Sequence, residues 1–259
     1  MPERDGFASG TPCWVDIGST DLGRGHAFYK ALLGWECRDA GPVEETGGYG
    51  FYTLGGRNAA GYGPAQDPAG GVWWTSYVSV DDIDATIAAV TDNGGSVLMP
   101  PMDVMKAGRM AIFTDPASAT LALWQPGEHK GAGVVNEPGA LCWNELLTTD
   151  LAGARRFYSA VFGWGERNGP DAPYAEFTVG DQVVAGGMAI TSDMPADMPP
   201  NWGVYFAVGD LEASTEKVGQ LGGVVHRPPF EIPGTGRAAV VGGPLGEVFS
   251  LFEMAAPAG

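Results

Sequence analysis

The feature that most constrains the fold is an internal repeat that covers nearly the whole chain. At an offset of 129 residues, Cys13-Trp14 matches Cys142-Trp143 and Phe28-Tyr29 matches Phe157-Tyr158. After a one-residue gap the offset becomes 128, and Gly94-Gly95 then matches Gly222-Gly223. Such a period is too long for a solenoid and is typical of domain duplication. The sequence predicts two copies of one domain, residues 11–126 and 139–254, joined by a Gly-rich linker at residues 127–138.

Each copy has the same local pattern of strands and helices. An alternating strand at residues 13–18 leads to Asp21, a residue type that caps helices, and Gly34 ends the helix that follows. A second strand at residues 74–80 leads to Asp82, which is followed by apolar residues at helical spacing. Further strands are predicted at residues 50–54, 57–62, 95–99, 110–114 and 120–124. The predicted class is α+β, with helices on one side of a curved, mostly antiparallel sheet in each copy.

The composition excludes several classes of function. The formal net charge is −17, which repels phosphate backbones and makes nucleic acid an unfavourable partner, whereas neutral or cationic ligands are favoured. No apolar run approaches the roughly 18 residues of a membrane span, and no secretory signal is visible. The 3 cysteines give no disulfide framework. We therefore expect a cytoplasmic protein without a membrane partner.

The segments Trp14-Val15-Asp16, Ala27-Phe28-Tyr29 and Leu33-Gly34-Trp35 resemble the opening of the vicinal oxygen chelate superfamily, which includes glyoxalase I, extradiol dioxygenases and bleomycin resistance proteins. The segments Val80-Asp81-Asp82-Ile83 and Asp115-Pro116 resemble its second βαβββ unit, and the second copy repeats them. The tandem arrangement is also similar to actinobacterial glyoxalase-like "hydroxylase" proteins and anthracycline-pathway accessory proteins. The resemblance implies two βαβββ units around a cup in each domain, and this scaffold hosts many activities.

Members of this family that use a metal ion bind it with His or Glu at fixed strand positions. Carried over to this chain, those positions fall on Trp14, Thr75 and Ala122 in the first copy and on Trp143, Gly203 and Ser250 in the second. A fourth ligand would lie in residues 57–62 or 183–188, which contain no Glu, Asp or His. None of these side chains replaces an imidazole or a carboxylate as a ligand. The resemblance therefore implies cups with no metal site and no cofactor.

Three histidines and two cysteines need separate assignments. His26 is predicted on the solvent face of the first helix, His129 lies in the linker, and His226 lies near a strand end, so each is expected at the surface or in a satisfied structural role. Cys13 and Cys142 alternate with Trp14 and Trp143, so we expect buried, inert thiols that point away from the cup. Trp35 and Trp164, just after the first helix of each copy, are predicted core residues.

Strand alternation indicates which residues share the concave face with the replaced ligand positions. The predicted ligand-binding residues are aromatic, small or acidic: Trp14, Asp16, Trp73, Thr75, Tyr77, Trp124, Trp143, Glu145, Tyr205, Ser250 and Phe252. Broad aromatic walls favour a planar aromatic ligand. The alternative is that Trp14 and Trp143 simply fill the cups themselves.

Asp16 and Glu145 are acids at equivalent positions on otherwise apolar strands, and three roles are open. Each acid pairs with Arg109 or Arg237, contacts a ligand, or acts as a general acid or base. The favoured function is metal-independent binding of a planar aromatic or polyketide-like molecule, as a biosynthesis accessory or for sequestration. The alternative is a metal-free acid/base tailoring enzyme of the hydroxylase, lyase or isomerase type, with Asp16 or Glu145 as the catalytic residue.

A third hypothesis is a glyoxalase or dioxygenase with displaced metal ligands. The sequence leaves open whether one or both cups are usable, and whether Trp14 shares a cup with Thr75 and Ala122 or with Gly203 and Ser250. It is compatible with a monomer that is a pseudo-dimer and with a homodimer.

Overall fold

The computed structural model describes residues 5–65, 71–169 and 171–255. The first half contains β1 Pro12–Ser19, α1 Leu22–Leu33, β2 Glu36–Asp39, α2 Val43–Thr46, β3 Gly50–Leu54, β4 Arg57–Pro64, β5 Trp74–Ser79, α3 Ile83–Asp92, β6 Ser96–Val104, β7 Gly108–Thr114 and β8 Thr120–Pro126. The second half contains β9 Leu141–Thr148, α4 Leu151–Phe162, β10 Gly165–Glu166, β11 Tyr174–Val179, β12 Gln182–Ala189, β13 Asn201–Ala207, α5 Leu211–Gln220, β14 Val224–Ile232, β15 Gly236–Gly242 and β16 Val248–Met254.

The long helices begin and end where the sequence predicts. The Asp21 side chain accepts a hydrogen bond from the Arg24 backbone N–H and begins α1, and Gly34 ends it with φ 75°. Asp150 and Gly163 begin and end α4 in the same way. Gly readily adopts the left-handed backbone conformation that ends a helix, because it has no Cβ to clash.

Each half forms its own 8-stranded sheet, with strand order β2-β3-β4-β1-β5-β8-β7-β6 in the first and the equivalent order in the second. The only parallel pairs among the described strands of the first sheet are β1 with β4 and β5 with β8, so the sheet is mostly antiparallel as predicted. Strands β1 and β5 join the two βαβββ units in the middle. Both units of a cup therefore come from the same half, and Trp14 shares a sheet with Thr75 and Ala122.

The helices cover one face of each sheet, which leaves the opposite face for the cup. In β1, Val15 and Ile17 pack with Phe28 and Tyr29 of α1 in a buried cluster. Trp14 and Asp16 alternate with them and therefore point to the other face. The helix-covered clusters join the halves, because residues of β1 and α1 share a cluster with residues of β13, α5 and β16. The second unit of the first half packs likewise with the first unit of the second half.

Paired hydrogen bonds repeat across the boundary between the halves. The Trp35 indole N–H donates to the Gly139 carbonyl at 2.6 Å, and the Trp164 indole donates to the Gly10 carbonyl at 2.7 Å. Both indoles are buried, so the core assignment of these two tryptophans is confirmed. The two halves are thus locked together by contacts related by the repeat.

Three details of the first half differ from the sequence prediction. The short elements β2 and α2 were not predicted. Strand β6 continues to Val104 through Pro100-Pro101 instead of ending at residue 99. It does so at the outer edge of the sheet, with a register shift between Met99 and Met102, where a missing N–H leaves no ladder partner unsatisfied.

None of the helices in the described residues is long and apolar enough to cross a membrane.

Candidate ligand sites on the concave faces

The concave face of the first sheet, here called the first cup, contains a hydrogen-bonded network around Asp16. One carboxylate oxygen, Oδ2, accepts from the Tyr77 hydroxyl at 2.9 Å and from the Tyr49 hydroxyl at 3.2 Å. The Trp14 indole N–H donates to the Tyr49 hydroxyl at 3.0 Å. Trp14 and Tyr77 lie directly opposite each other on β1 and β5. The sequence-predicted residues Trp14, Asp16 and Tyr77 therefore do converge.

The second cup, on the concave face of the second sheet, repeats this network around Glu145. Its Oε1 accepts from the Tyr205 hydroxyl at 2.6 Å and its Oε2 accepts from the Tyr174 hydroxyl at 2.7 Å. The Trp143 indole N–H donates to the Tyr174 hydroxyl at 3.1 Å. Both halves thus hold a carboxylate between two tyrosines, one of which is also bound to a tryptophan.

Glycine residues on β4 and β12 make room for the outer tyrosine of each network. Gly61 is paired with Asp16, and Gly186 is paired with Glu145. A Cβ added at Gly61 would lie 2.0 Å from the Tyr49 hydroxyl oxygen, and one at Gly186 would lie 1.9 Å from that of Tyr174. Each glycine falls in the segment where the resemblance places a fourth metal ligand. A tyrosine ring therefore fills that space, from Tyr49 just before β3 in the first half and from Tyr174 on β11 in the second.

Burial governs the protonation of both networks. Desolvation raises the pKa of Asp16 to about 6, although the hydrogen bonds from Tyr77 and Tyr49 lower it. Burial likewise raises the pKa of Glu145 against the opposing effect of Tyr205 and Tyr174. The tyrosines have raised pKa values, first through desolvation and then through the adjacent carboxylate. They therefore stay protonated near neutral pH and donate to the carboxylates.

The suggested pairing of these acids with arginine is wrong. Arg109 binds Asp84 at 2.7 Å and Asp103 at 3.3 Å on the surface. Arg237 binds Glu212, and it binds Glu231 at 3.1 Å. Phenol hydroxyls rather than guanidinium groups satisfy Asp16 and Glu145, since tyrosines can be buried at much lower desolvation cost than charged side chains.

The donor chemistry at the family's metal positions does not fit a transition metal. Thr75 and Gly203 stand next to Asp16 and Glu145 in the sheet, and Ala122 and Ser250 stand next to Tyr77 and Tyr205. Indole, methyl, hydroxyl and hydrogen groups at these places supply no imidazole or carboxylate set. Within residues 5–65, 71–169 and 171–255, no group of three or more His, Cys, Asp or Glu side chains is arranged to hold a metal ion.

The remaining predicted ligand residues have different environments. Trp124 is buried in the first cup, and Phe252 is half-buried at the equivalent place in the second. Trp73 precedes β5 and is 56% exposed. It does not join the Asp16 network, because the strand, and with it the regular alternation, begins only at Trp74.

The linker closes the first cup by inserting His129. The imidazole centroid lies 4.5 Å from the Trp14 ring, 5.5 Å from Phe51 and 5.6 Å from Trp124. The Trp124 indole donates to the His129 carbonyl at 2.9 Å. Burial lowers the pKa of His129 to about 4, and its buried Nε2 has no hydrogen-bond partner in the described part of the chain. The surface or satisfied role expected for His129 is therefore wrong.

The second cup has no such insertion among the described residues. Trp143, Glu145, Tyr205 and Phe252 are all half-buried. In the described chain, neither Trp143 nor Phe252 makes an aromatic ring contact, whereas Trp14 contacts both Phe51 and His129. Among the described residues, the aromatic and acidic side chains of the second cup are thus only partly covered.

Three other sequence expectations are corrected. His26 is half-buried rather than on a solvent face, and it has the satisfied structural role that the sequence allows, because its imidazole contacts Tyr62 and its Nδ1 lies 3.1 Å from the Tyr52 hydroxyl. Cys13 packs in the cluster of Trp14 and Tyr77 instead of pointing away, because a register shift at this residue interrupts the alternation. Cys142 is only half-buried, with its thiol 3.3 Å from the Tyr205 carbonyl.

The thiols are nevertheless unreactive by their environment, since burial raises the pKa of Cys13 far above its usual range and that of Cys142 to about 12. His226 lies exposed on β14, as the sequence suggests.

A cavity of about 350 Å³ adjoins the first cup rather than filling it. It is bounded by the end of α2 and by β4, and its lining is formed by Thr46, Gly47, Tyr49, Gly63, Pro64 and Ala65. Only Tyr49 connects this cavity to the Asp16 network. We therefore assign the candidate sites from the two carboxylate networks.

Sequence reasoning missed the outer tyrosines and the linker histidine. Tyr49 and Tyr174 are related by an offset of 125, the difference between their numbers, so a second gap in the repeat alignment was needed to pair them. The same offset relates Gly61 to Gly186. No local signal marks His129, because its place in the cup depends on the path of the linker.

A tandem pair of curved sheets with a side-chain network at the centre of each concave face defines a two-cup, glyoxalase-type protein. The model for the Glyoxalase/Bleomycin resistance protein/Dioxygenase superfamily matches residues 13–123 and residues 130–251. The chain belongs to this superfamily.

Two named relatives align with almost the entire chain. CFP32 of Mycobacterium tuberculosis, provisionally named a glyoxylase, is 41% identical over 262 residues that cover 98% of this chain and 99% of that protein. The anthracycline biosynthesis protein DnrV of Streptomyces peucetius is 36% identical over 269 residues, covering 96% of this chain and 94% of the relative.

Solved structures share the fold at low sequence identity. The Mn(II)-bound glyoxalase from Novosphingobium aromaticivorans has a TM-score of 0.65 at 14% identity, covering 95% of this chain and 82% of that one. The 2,3-dioxygenase LapB from Pseudomonas sp. KL28 has a TM-score of 0.64 at 15% identity, covering 96% and 95%. At this identity the likeness shows the fold alone.

Proposed function

We propose that the protein binds a planar aromatic, hydroxyl-bearing small molecule in the second cup without using a metal ion. The observation that carries this proposal is the half-buried Glu145 carboxylate, held by Tyr205 and Tyr174 beside Trp143. An aromatic wall stacks on a flat ring, and each such contact contributes about 0.5–1.5 kcal/mol beyond area burial. A carboxylate has further lone pairs that can accept a ligand hydroxyl or amine.

The similarity to an anthracycline biosynthesis protein supports this class of ligand. Anthracyclines are flat, polycyclic and hydroxylated, so a polyketide-like molecule matches the chemistry of the second cup. The role follows as that of an accessory or sequestering protein in antibiotic biosynthesis.

The test is tryptophan quenching by 1,4-dihydroxyanthraquinone, a flat hydroxylated probe. We expect saturable binding of one molecule per chain, weakened by Trp143→Phe and unchanged by the matched first-cup variant Trp14→Phe. Dialysis against a chelator should leave the affinity unchanged. Absence of saturable binding contradicts the proposal, as does binding that is lost with the chelator and restored by Zn²⁺ or Mn²⁺.

The alternative function is acid/base catalysis by Glu145. It is favoured by one observation, the raised pKa of a carboxyl group that faces an accessible cup. The variant Glu145→Gln separates the two functions. If the wild-type protein converts its ligand and Glu145→Gln does not, while the variant still binds 1,4-dihydroxyanthraquinone, the result supports catalysis. Recovery of the ligand chemically unchanged from the wild-type protein supports binding.

A further inference from the structure

In the first cup, the aromatic side chains surround a single flat ring, the imidazole of His129. The His129 imidazole stands edge-on to Trp14 with an interplanar angle of 82° and to Trp124 with 66°, and it is tilted by 54° to Phe51. These angles and the centroid distances above fall within the usual range for paired aromatic rings. The first cup thus contains an occupied aromatic box formed by Trp14, Phe51 and Trp124.

The repeat identifies the equivalent box in the second cup. Trp143 corresponds to Trp14, and Phe252 corresponds to Trp124. The third wall differs, because Phe51 is paired with Gly61 whereas the residue paired with Gly186 is Glu176. Glu176 lies two residues after Tyr174 on β11, so both side chains point into the cup. An acid therefore replaces the third aromatic wall.

The charge around this box is negative. Glu145 and Glu176 are both half-buried on the concave face, and Arg167, which directly follows β10, is a basic residue next to Glu176. The Arg167 backbone N–H donates to the Glu176 carbonyl at 3.1 Å, but its side chain is exposed. Among the described residues, no ion pair within 4.0 Å joins the Arg167 side chain to the Glu176 carboxylate.

We propose that the second cup binds a flat, positively charged ring between Trp143 and Phe252, and that Glu176 determines the preference for the charge. The ring takes the place that His129 takes in the first cup. Aromatic faces attract a cation through their quadrupole, and a carboxylate in place of the third ring strengthens that attraction. The inference rests on the proposed function and narrows its ligand to a cationic aromatic compound.

The test compares two probes with the same three-ring skeleton. 9-Aminoacridine is a cation near neutral pH, whereas acridine is neutral there. We expect the cation to bind the wild-type protein about tenfold more tightly. Glu176→Gln should remove most of this difference, and Glu176→Phe, which restores the residue of the first cup, should remove it as well. Glu44→Gln, an exposed acid on α2, controls for the overall negative charge and should preserve the difference.

The outcomes separate this inference from the proposed function. If both probes bind with equal affinity and Trp143→Phe weakens both, the charge preference is wrong and the aromatic site stands. If Glu176→Gln and Glu44→Gln reduce the preference equally, the role of Glu176 is refuted. If neither acridine binds saturably while 1,4-dihydroxyanthraquinone still does, the cationic-ring inference is refuted and the proposed function stands; if none of the three probes binds saturably, both proposals are refuted.

Discussion

At the residue scale, the two carboxylate networks depend on glycines that leave space for a tyrosine. Tyr49 reaches Asp16 only because Gly61 has no side chain, and Tyr174 reaches Glu145 only because Gly186 has none. In both cups the residue that allows the network lies on a different strand from the residues that form it. This dependence makes the glycines sensitive positions.

Replacing Gly186 with Ala should destabilise the protein by about 1–3 kcal/mol, because the new Cβ displaces the Tyr174 hydroxyl from Glu145. The free energy of unfolding in urea measures this change. Gly203→Ala is the matched control in the same cup, since its Cβ would have no neighbour closer than 3.6 Å. The control should change the free energy of unfolding by at most about 1 kcal/mol. Equal effects of both variants would show that Tyr174 is not constrained by Gly186.

The raised pKa of Asp16 predicts a loss of stability between about pH 4 and pH 6. The folded protein binds a proton here more tightly than the unfolded chain, so deprotonation as the pH rises favours unfolding. The effect is at most about 3 kcal/mol, from 1.36 kcal/mol per pKa unit. Unfolding free energies across this pH range should fall less steeply for Asp16→Asn than for the wild type. Asp84→Asn, at a surface carboxylate whose pKa Arg109 lowers, should retain the fall.

At the scale of elements, the linker distinguishes the first cup, because it places His129 against Trp14, Phe51 and Trp124. The His129 backbone N–H donates to the Ala107 carbonyl at 3.0 Å, Ala132 donates to Cys13 and Gly133 donates to Asn58, both at 2.8 Å. These bonds fix the linker against the first sheet and keep the imidazole in place. A buried nitrogen without a partner costs about 1–3 kcal/mol, so the aromatic contacts of His129 offset an unfavourable term.

Removing the imidazole should therefore create a ring-sized site. His129→Gly is expected to bind added imidazole saturably, with a change in tryptophan fluorescence from Trp14 and Trp124. Lys130→Gly, at the exposed neighbouring residue, should show no such effect. A linear, non-saturable response of His129→Gly would mean that the first cup collapses around the missing ring.

At the scale of the whole molecule, the halves share two cores. Some contacts related by the repeat use different residues in the two halves but satisfy the same hydrogen-bonding group. Tyr158 donates to Asp115 at 3.0 Å, and the equivalent Tyr29 donates to Glu247 at 2.8 Å. Gly243 stands where the repeat would place an Asp, and a Cβ there would lie 2.1 Å from the Glu247 carboxylate. The carboxylate that accepts from the tyrosine thus comes from a different repeat position in each half but lies at the equivalent place in the structure.

A hydrogen bond between the halves that the repeat replaces by an apolar contact gives a test of how the halves are joined. The Asn144 amide donates to the Ser76 hydroxyl at 2.7 Å in the buried interior, whereas the equivalent residues Val15 and Val204 lie in an apolar cluster. Asn144→Val alone should cost about 1–3 kcal/mol, because it leaves the Ser76 hydroxyl unsatisfied. The double variant Ser76→Val/Asn144→Val should recover most of that loss. Additive losses in this double-mutant cycle would contradict the coupling.

The sequence by itself determined the duplication, the α+β class and the convergence of Trp14, Asp16 and Tyr77 in one cup and of Trp143, Glu145 and Tyr205 in the other. These follow from periodicity, capping residues and strand alternation, which act within a few residues or repeat along the chain. Only the tertiary structure decided that Tyr49 and Tyr174 complete the networks and that Arg109 and Arg237 do not. It also decided that His129 fills the first cup. Those contacts depend on strand register and on the path of the linker, and both are set by packing between segments far apart in sequence.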